Sequence, residues 1–207
     1  MLEVRNIDVA YGDVQVIRDV SFHVGKGEIV AMIGANGAGK STIMRTVSGV
    51  LRPLKGEILL AGEAIHTVEP YTLIAKGLAH VPEARRLFPE MSVLENLLMG
   101  AYLAPGKAEI DRRLDEVYTL LPKLSDRRHQ IASTLSGGER RMAGIGRGLM
   151  MGGRILLIDE PSLGLAPLII EQIYGVIAEL SKAGRTILLV EENPARVEDL
   201  ADKLHLL

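Results

Sequence analysis

No cysteine occurs in the sequence, which excludes a disulfide framework and a thiolate metal site and is compatible with a reducing compartment. No apolar run approaches the roughly 18 residues needed to cross a bilayer. The opening residues, Met1-Leu2-Glu3-Val4, hold no basic stretch followed by an apolar one, so no secretory signal is expected there. Positive charge is not in excess either. The 24 Lys and Arg stand against 26 Asp and Glu, a net charge of -2, which gives no electrostatic footprint for nucleic acid. The histidines, His23, His66, His80, His129 and His205, show no metal-ligand spacing, and no internal repeat or low-complexity tract occurs. These absences predict a cytoplasmic protein that reaches a membrane only through another chain. With 207 residues, 47% of them hydrophobic and 24% charged, there is enough for one sizeable α/β domain or a core with an inserted lobe.

What is present centres on Gly34, Ala35, Asn36, Gly37, Ala38, Gly39, Lys40, Ser41 and Thr42, which fit the phosphate-loop pattern G-x-x-x-x-G-K-[ST]. Before them, Glu28-Ile29-Val30-Ala31-Met32-Ile33 reads as a strand buried on both faces. After them, Ile43, Met44, Val47 and Val50 recur at helical spacing, with Gly49 and Pro53 as stop signals. A chance match is expected in about 1 to 2% of chains this long, and the strand-loop-helix context lowers that further. Glycines let successive N–H groups and a helix N-terminus point at one anion. Lys40 adds a charge at the β- and γ-phosphates, Ser41 offers a hydroxyl to Mg²⁺, and Thr42 can cap the helix or contact phosphate.

Around this loop the chain alternates strands and helices. Residues 2–9 and the alternating Val20, Phe22 and Val24 predict antiparallel strands, with Gly12 and Asp13 as turn residues between them. Tyr11 lies between them as strand packing or as a platform for adenine. Residues 56–60 and 78–81 read as further strands, the second ended by Pro82. Ser92-Val93-Leu94-Glu95 has capping-box spacing, and Ile110, Leu114, Val117, Tyr118 and Leu121 mark an amphipathic helix. These describe a helical lobe inserted between strands. Arg85, Arg86, Arg112, Arg113, Arg127 and Arg128 read as its solvated faces.

Leu135-Ser136-Gly137-Gly138-Glu139 precedes a helix carrying Met142, Ile145 and Leu149. Then Ile155-Leu156-Leu157-Ile158 ends in two acids. Asp159 stands where a strand-end aspartate would hold Mg²⁺, and Glu160 where a carboxylate could orient the attacking water. Ile173, Ile177 and Leu180 mark another helix, residues 185–190 another core strand, and residues 202–207 are strand-like. Such alternation implies a mainly parallel sheet with ligand sites at the strands' carboxyl ends.

The ordered set G-A-N-G-A-G-K-S-T, L-S-G-G-E and I-L-L-I-D-E-P resembles the nucleotide-binding subunits of ABC transporters over essentially the whole chain. Within that family, V-P-E-A-R-R-L-F-P, P-S-L-G-L-A-P and V-E-E-N are similar to the branched-chain amino acid importer ATPases. The resemblance implies an α/β fold with a RecA-like P-loop NTPase core, an antiparallel β-subdomain and an inserted α-helical subdomain. It implies core and β-subdomain over 1–82 and 151–207, with a helical subdomain over 83–150. It implies ATP and Mg²⁺ as ligands, a head-to-tail pair of ATPase subunits, permease subunits as membrane partners and a periplasmic solute-binding protein as an indirect one, with the chain peripheral on the inner face of the cell membrane. ATP on one chain's phosphate loop would be covered by Ser136, Gly137, Gly138 and Glu139 of the other. Tyr11 becomes the adenine platform, Glu83 a group beside Mg²⁺ or the lytic water, and Leu87, Phe88 and Met91 either docking groove or local core.

Three departures from the pattern stand out. Glu192 occupies the switch position usually held by His or Gln, which puts a carboxylate towards the γ-phosphate. Arg140 and Arg141 follow the tetrad where this group tends to carry glutamines, which could alter the electrostatics of the dimer interface. The sequence stops at Leu207 where relatives continue, so Leu204, Leu206 and Leu207 are expected on an unpaired, apolar edge. Two other functions fit part of the pattern: a module that clamps ATP with little hydrolysis, and a soluble ABC ATPase acting on nucleic acid.

Overall fold

Side chains on a strand alternate between faces, and here the alternation divides the protein into two cores. A computed structural model describes residues 1–83 and 87–207; the expected charge pair Arg85 and Arg86 lies outside the described residues. The first half runs β1 (Leu2–Tyr11), β2 (Val14–Val24), β3 (Ile29–Ile33), α1 (Lys40–Val47), β4 (Lys55–Leu60), β5 (Glu63–Ala64), α2 (Pro70–Leu73) and β6 (Leu78–Val81). The second runs α3 (Val93–Gly100), α4 (Lys107–Leu120), α5 (Pro122–Asp126), α6 (Gly137–Met150), β7 (Ile155–Asp159), α7 (Pro167–Lys182), β8 (Thr186–Glu191) and β9 (Lys203–Leu206).

Strands β6-β7-β8-β3-β9 form a parallel sheet, and β2-β1-β4-β5 a separate antiparallel one. Ile29, Ala31 and Ile33 of β3, with Leu156 and Ile158 of β7 and Ile187 and Leu189 of β8, face a core shared with α3 to α7. Val30 and Met32, with Ile155, Leu157, Leu188 and Val190, face a second core shared with α1 and the antiparallel sheet. The parallel sheet is therefore a wall buried on both sides, which is why β3, β7 and β8 read as unbroken apolar runs. Elements α3, α4, α5 and α6 all lie between β6 and β7 in sequence.

Local signals place the element ends. Ser92 caps α3 reciprocally with Glu95, as the spacing predicts. Helix α1 ends at Val47, three residues before Val50, because Gly49 turns the chain left-handed (φ 75°) and leaves Val50 exposed. Short elements such as β5, α2 and α5 are too brief to show a period in the sequence. One charge reading needs correction. Arg113 does not sit on a solvated face: its guanidinium donates to the Met150 carbonyl at 2.8 Å and lies over Gly152, tying α4 to the end of α6. Arg127 and Arg112 are exposed as expected, each paired with a carboxylate, Glu139 at 2.8 Å and Glu109 at 2.7 Å. Strand β9 forms the sheet edge beside β3, and Leu204, Leu206 and Leu207 are exposed there.

Candidate nucleotide site

Because β3, β6, β7 and β8 are parallel, their carboxyl ends open on one edge of the sheet. The loop after β3, the Pro82-Glu83 segment after β6, and Asp159-Glu160 at the end of β7 meet there. A cavity of about 350 Å³ is lined by Asn36, Gly37, Gly39, Lys40, Ser41, Thr42, Glu83 and Glu160, with Val16 and Leu163 at its sides. Gly39 makes the turn into α1 possible: its φ is 98°, and a Cβ there would lie 2.4 Å from the Ile17 side chain on β2. The N-cap residue of α1, Gly39, has no side chain to bond the first-turn N–H groups, which leaves them able to face a ligand.

Lys40 is buried, and its ammonium is held by three oxygens. It donates to the carbonyls of Gly34 at 2.8 Å and Ala35 at 3.1 Å, and pairs with Glu160 Oε1 at 3.2 Å. Glu160 is buried and has φ 43°, a left-handed conformation uncommon for a residue with a side chain. Its N–H donates to the Val190 carbonyl at 2.9 Å, which fixes the turn to the neighbouring strand. Asp159 precedes it, and its Oδ1 is buried with no hydrogen-bond partner among the described residues. Burial first, then the charges of Glu160 and Glu83, push the Asp159 carboxyl up to about 6, against opposing effects of Arg141 and Ser41.

Other expected site residues lie at the rim. Tyr11 does not line the cavity, but it is 40% exposed and its hydroxyl is 3.5 Å from Thr42 Oγ1. Glu192 is exposed on the loop after β8 and accepts a hydrogen bond from Asn36 Nδ2 at 3.4 Å. Ser136, Gly137, Gly138 and Glu139 are not brought to the cavity. Ser136 caps α6, with its hydroxyl accepting from the Glu139 N–H and its own N–H donating to the Glu139 carboxylate at 2.8 Å. That backbone bond is the main cause holding Glu139 below the usual carboxylate range. Leu87 packs against the core beneath the helices, while Phe88 is exposed with Arg147 over its ring.

Comparison with known proteins agrees over the length of the chain. The family model described as ABC transporter matches residues 17–163. The chain belongs to the ABC transporter family. The high-affinity branched-chain amino acid transport ATP-binding protein BraG of Pseudomonas aeruginosa is 44% identical over 207 residues, 100% of this chain and 88% of its own. The probable branched-chain amino acid transport ATP-binding protein LivF of Archaeoglobus fulgidus is 33% identical over 208 residues, with 100% and 88% coverage. A crystal structure of an ABC transporter's ATP-binding cassette in its ADP conformation superposes with a TM-score of 0.90 at 30% identity, covering 100% of this chain and 87% of that one. The fold is thus that of an ABC ATPase, an ATP-hydrolysing subunit that drives transport.

Two residues of this ABC ATPase carry more of the site's geometry than their sequence context suggests. Glu191, 1% exposed at the end of β8, accepts from the Ser162 hydroxyl at 2.6 Å and the Tyr174 hydroxyl at 2.5 Å. Burial and the Glu191 charge push the Tyr174 phenol upward, so it stays a donor. Arg141 does not lie at the α6 surface where it would alter an interface field. It turns inward to backbone carbonyls behind Asp159 and Glu160. Position within the strand and helix periods was the available signal for both.

Proposed function

We propose that the chain hydrolyses ATP held by residues 34–42 as the motor subunit of an importer for branched-chain amino acids. The observation that supports this most is the convergence of Lys40, Ser41, Glu83 and Glu160 on one cavity at the sheet's carboxyl edge, with Asp159 buried beside it. The cargo reading rests on the likeness to BraG and LivF. Residues 83–150 are the proposed helical subdomain, and 1–82 with 151–207 the core and β-subdomain.

A divalent cation fits the donor set. Asp159 Oδ1 is a buried oxygen with no hydrogen-bond partner among the described residues, and the Ser41 hydroxyl lies beside the same carboxyl group. No group of three or more His, Asp or Glu among the described residues could hold a metal alone, as suits Mg²⁺ shared with phosphates. Asp159 and Ser41 would hold it, with Glu83 nearby; when bound, Mg²⁺ neutralises phosphate charge. Lys40 exchanges its carbonyl partners for phosphate oxygens. Glu160, released from Lys40, orients water for in-line attack and accepts its proton. Tyr11 offers its exposed ring to adenine.

The tetrad at Ser136 lies away from this chain's own cavity, which supports a head-to-tail pair in which it covers the other subunit's ATP. Ser136→Arg is expected to abolish ATP-dependent dimerisation, followed by light scattering, while a single chain still binds nucleotide; dimers at wild-type strength would rule out that arrangement. No helix among the described residues is long and apolar enough to cross a membrane. Permease subunits would supply the membrane path, with the exposed Phe88, Met99 and Tyr102 as apolar contact surface on the helical side and the chain peripheral on the inner face.

Glu192 sets a negative charge at the lip of the phosphate loop. Glu192→Gln is expected to raise turnover roughly fivefold at saturating ATP, equivalent to about 1 kcal/mol of relieved repulsion at a partly solvated site. Equal turnover of the two forms would show that this carboxylate turns away from the phosphates. The reading as a whole is tested by steady-state Mg-ATP hydrolysis together with uptake of labelled leucine, isoleucine and valine in source cells lacking the chain. Restoration of uptake by wild type but not by an inactive variant is expected. ATP hydrolysis without an effect on these three solutes would retain the motor and discard the cargo.

A further inference from the structure

We propose that Arg141 is a positioning residue for hydrolysis, one that sets the backbone on both sides of Glu160 and joins it to the helix beginning at the Ser136 tetrad. This rests on the reading of Glu160 as the group that orients water. Arg141 is 4% exposed on α6. Its Nη2 donates to the Asp159 carbonyl at 2.5 Å and its Nε to the Pro161 carbonyl at 3.1 Å. Its Nη1 donates to the carbonyls of Pro82 at 3.0 Å and Glu83 at 2.8 Å. One rigid planar fork therefore holds the residues before and after Glu160, and the segment that carries Glu83.

The geometry explains why a guanidinium is needed. Glu160 sits at φ 43°, a conformation that persists only when its surroundings over-determine it. The Glu160 N–H is fixed by Val190 and its two flanking carbonyls by Arg141, so the turn is held from both the strand and the helix side. A lysine ammonium has three donors around one point and cannot span these carbonyls in the same plane. Arg141 also lies on the same helix as the Ser136 cap, five residues into the chain from it. A shift of α6 when its tetrad meets nucleotide on the other subunit would therefore reach Glu160 and Glu83 directly. The residue links the occupancy of one site to the geometry of the other.

The test compares Arg141→Lys and Arg141→Gln with wild type and with Glu160→Gln, in the full chain. Turnover, KM, affinity for a non-hydrolysable ATP analogue, thermal midpoint and amide hydrogen exchange over residues 158–163 are measured together. For Arg141→Lys, kcat is expected to fall about 30- to 100-fold, the scale of misplacing a reacting group by about 1 Å, with KM and analogue affinity within about threefold. Exchange at the Glu160 amide should quicken, and Arg141→Lys added to Glu160→Gln should cost no further activity. If Arg141→Gln proves insoluble, the lysine variant carries the comparison. Arg141→Lys with kcat within about twofold of wild type, beside an inactive Glu160→Gln, would overturn the positioning role. So would a loss that follows analogue affinity or thermal midpoint, as a purely structural residue would give. Wild-type turnover in Glu160→Gln would instead remove the catalytic reading of Glu160, and with it the group that Arg141 is proposed to position.

Discussion

Glu160→Gln is expected to lower steady-state Mg-ATP turnover by about 100-fold or more while leaving ATP affinity within about threefold, the signature of a group that acts in the transition state. The argument starts from the site at rest. Glu160 Oε1 is 3.2 Å from Lys40 Nζ, both side chains are buried, and the same ammonium is bonded to the Gly34 and Ala35 carbonyls. Glutamine keeps the volume, the turn and the Val190 hydrogen bond, so the phosphate loop should retain its shape. What it loses is the charge that accepts a proton. Lys40 keeps its two carbonyls until phosphate replaces them, so binding has no reason to weaken. Trapped ATP should then hold subunits together, visible as an ATP-dependent rise in mass by light scattering. Wild-type turnover in the variant would mean that another group handles the water.

The sheet and the phosphate loop were legible because both follow from short-range rules. Apolar runs such as Ile29 to Ile33 are long enough for a strand and too short for a helix, and being apolar at both parities they require cover on both faces. Glycines at 34, 37 and 39 before Lys40 announce a loop around an anion. Charged residues inside periodic elements were harder to read, because sequence displays a charge and not its partner. Arg141 lies four residues before the buried Ile145, on the inward stripe of α6, and that offset was the clue to its orientation. Arg113 was hidden in the same way: its solvent-side neighbour Arg112 has the expected surface pairs, while Arg113 reaches a carbonyl at the end of another helix. Glu191 ends a strand whose six residues are all buried, so its carboxylate had to find donors, but Ser162 and Tyr174 come from segments 29 and 17 residues away. Such partners are set by tertiary packing alone.

Asp159→Asn should separate stability from function in opposite directions. In the folded chain the Asp159 carboxyl is pushed from an ordinary 3.8 up to about 6, chiefly by burial and then by Glu160 and Glu83. A carboxyl raised on folding keeps its proton to higher pH in the native state than in the unfolded one. Its contribution to stability is therefore fully present below about pH 4 and is lost as pH rises through about 6. The penalty at pH 8, with no divalent cation, is on the order of 3 kcal/mol for a rise of this size. Asparagine removes the charge but brings an amide that needs acceptors, so a net gain of about 1 to 2 kcal/mol is expected at pH 8, shrinking towards pH 5 where the wild-type carboxyl is already protonated. Denaturant unfolding of both forms at the two pH values, in chelator, measures it. The same change deletes the anionic oxygen that would meet Mg²⁺, so Mg²⁺-dependent turnover should fall about 100-fold or more. A variant no more stable than wild type at pH 8 would mean that Arg141 and Ser41 already compensate the charge. Retained Mg²⁺-dependent turnover would place the cation elsewhere. The combination of a sturdier protein and a lost activity would show that Asp159 is kept charged and buried at a cost to the fold, for the sake of the ligand it holds.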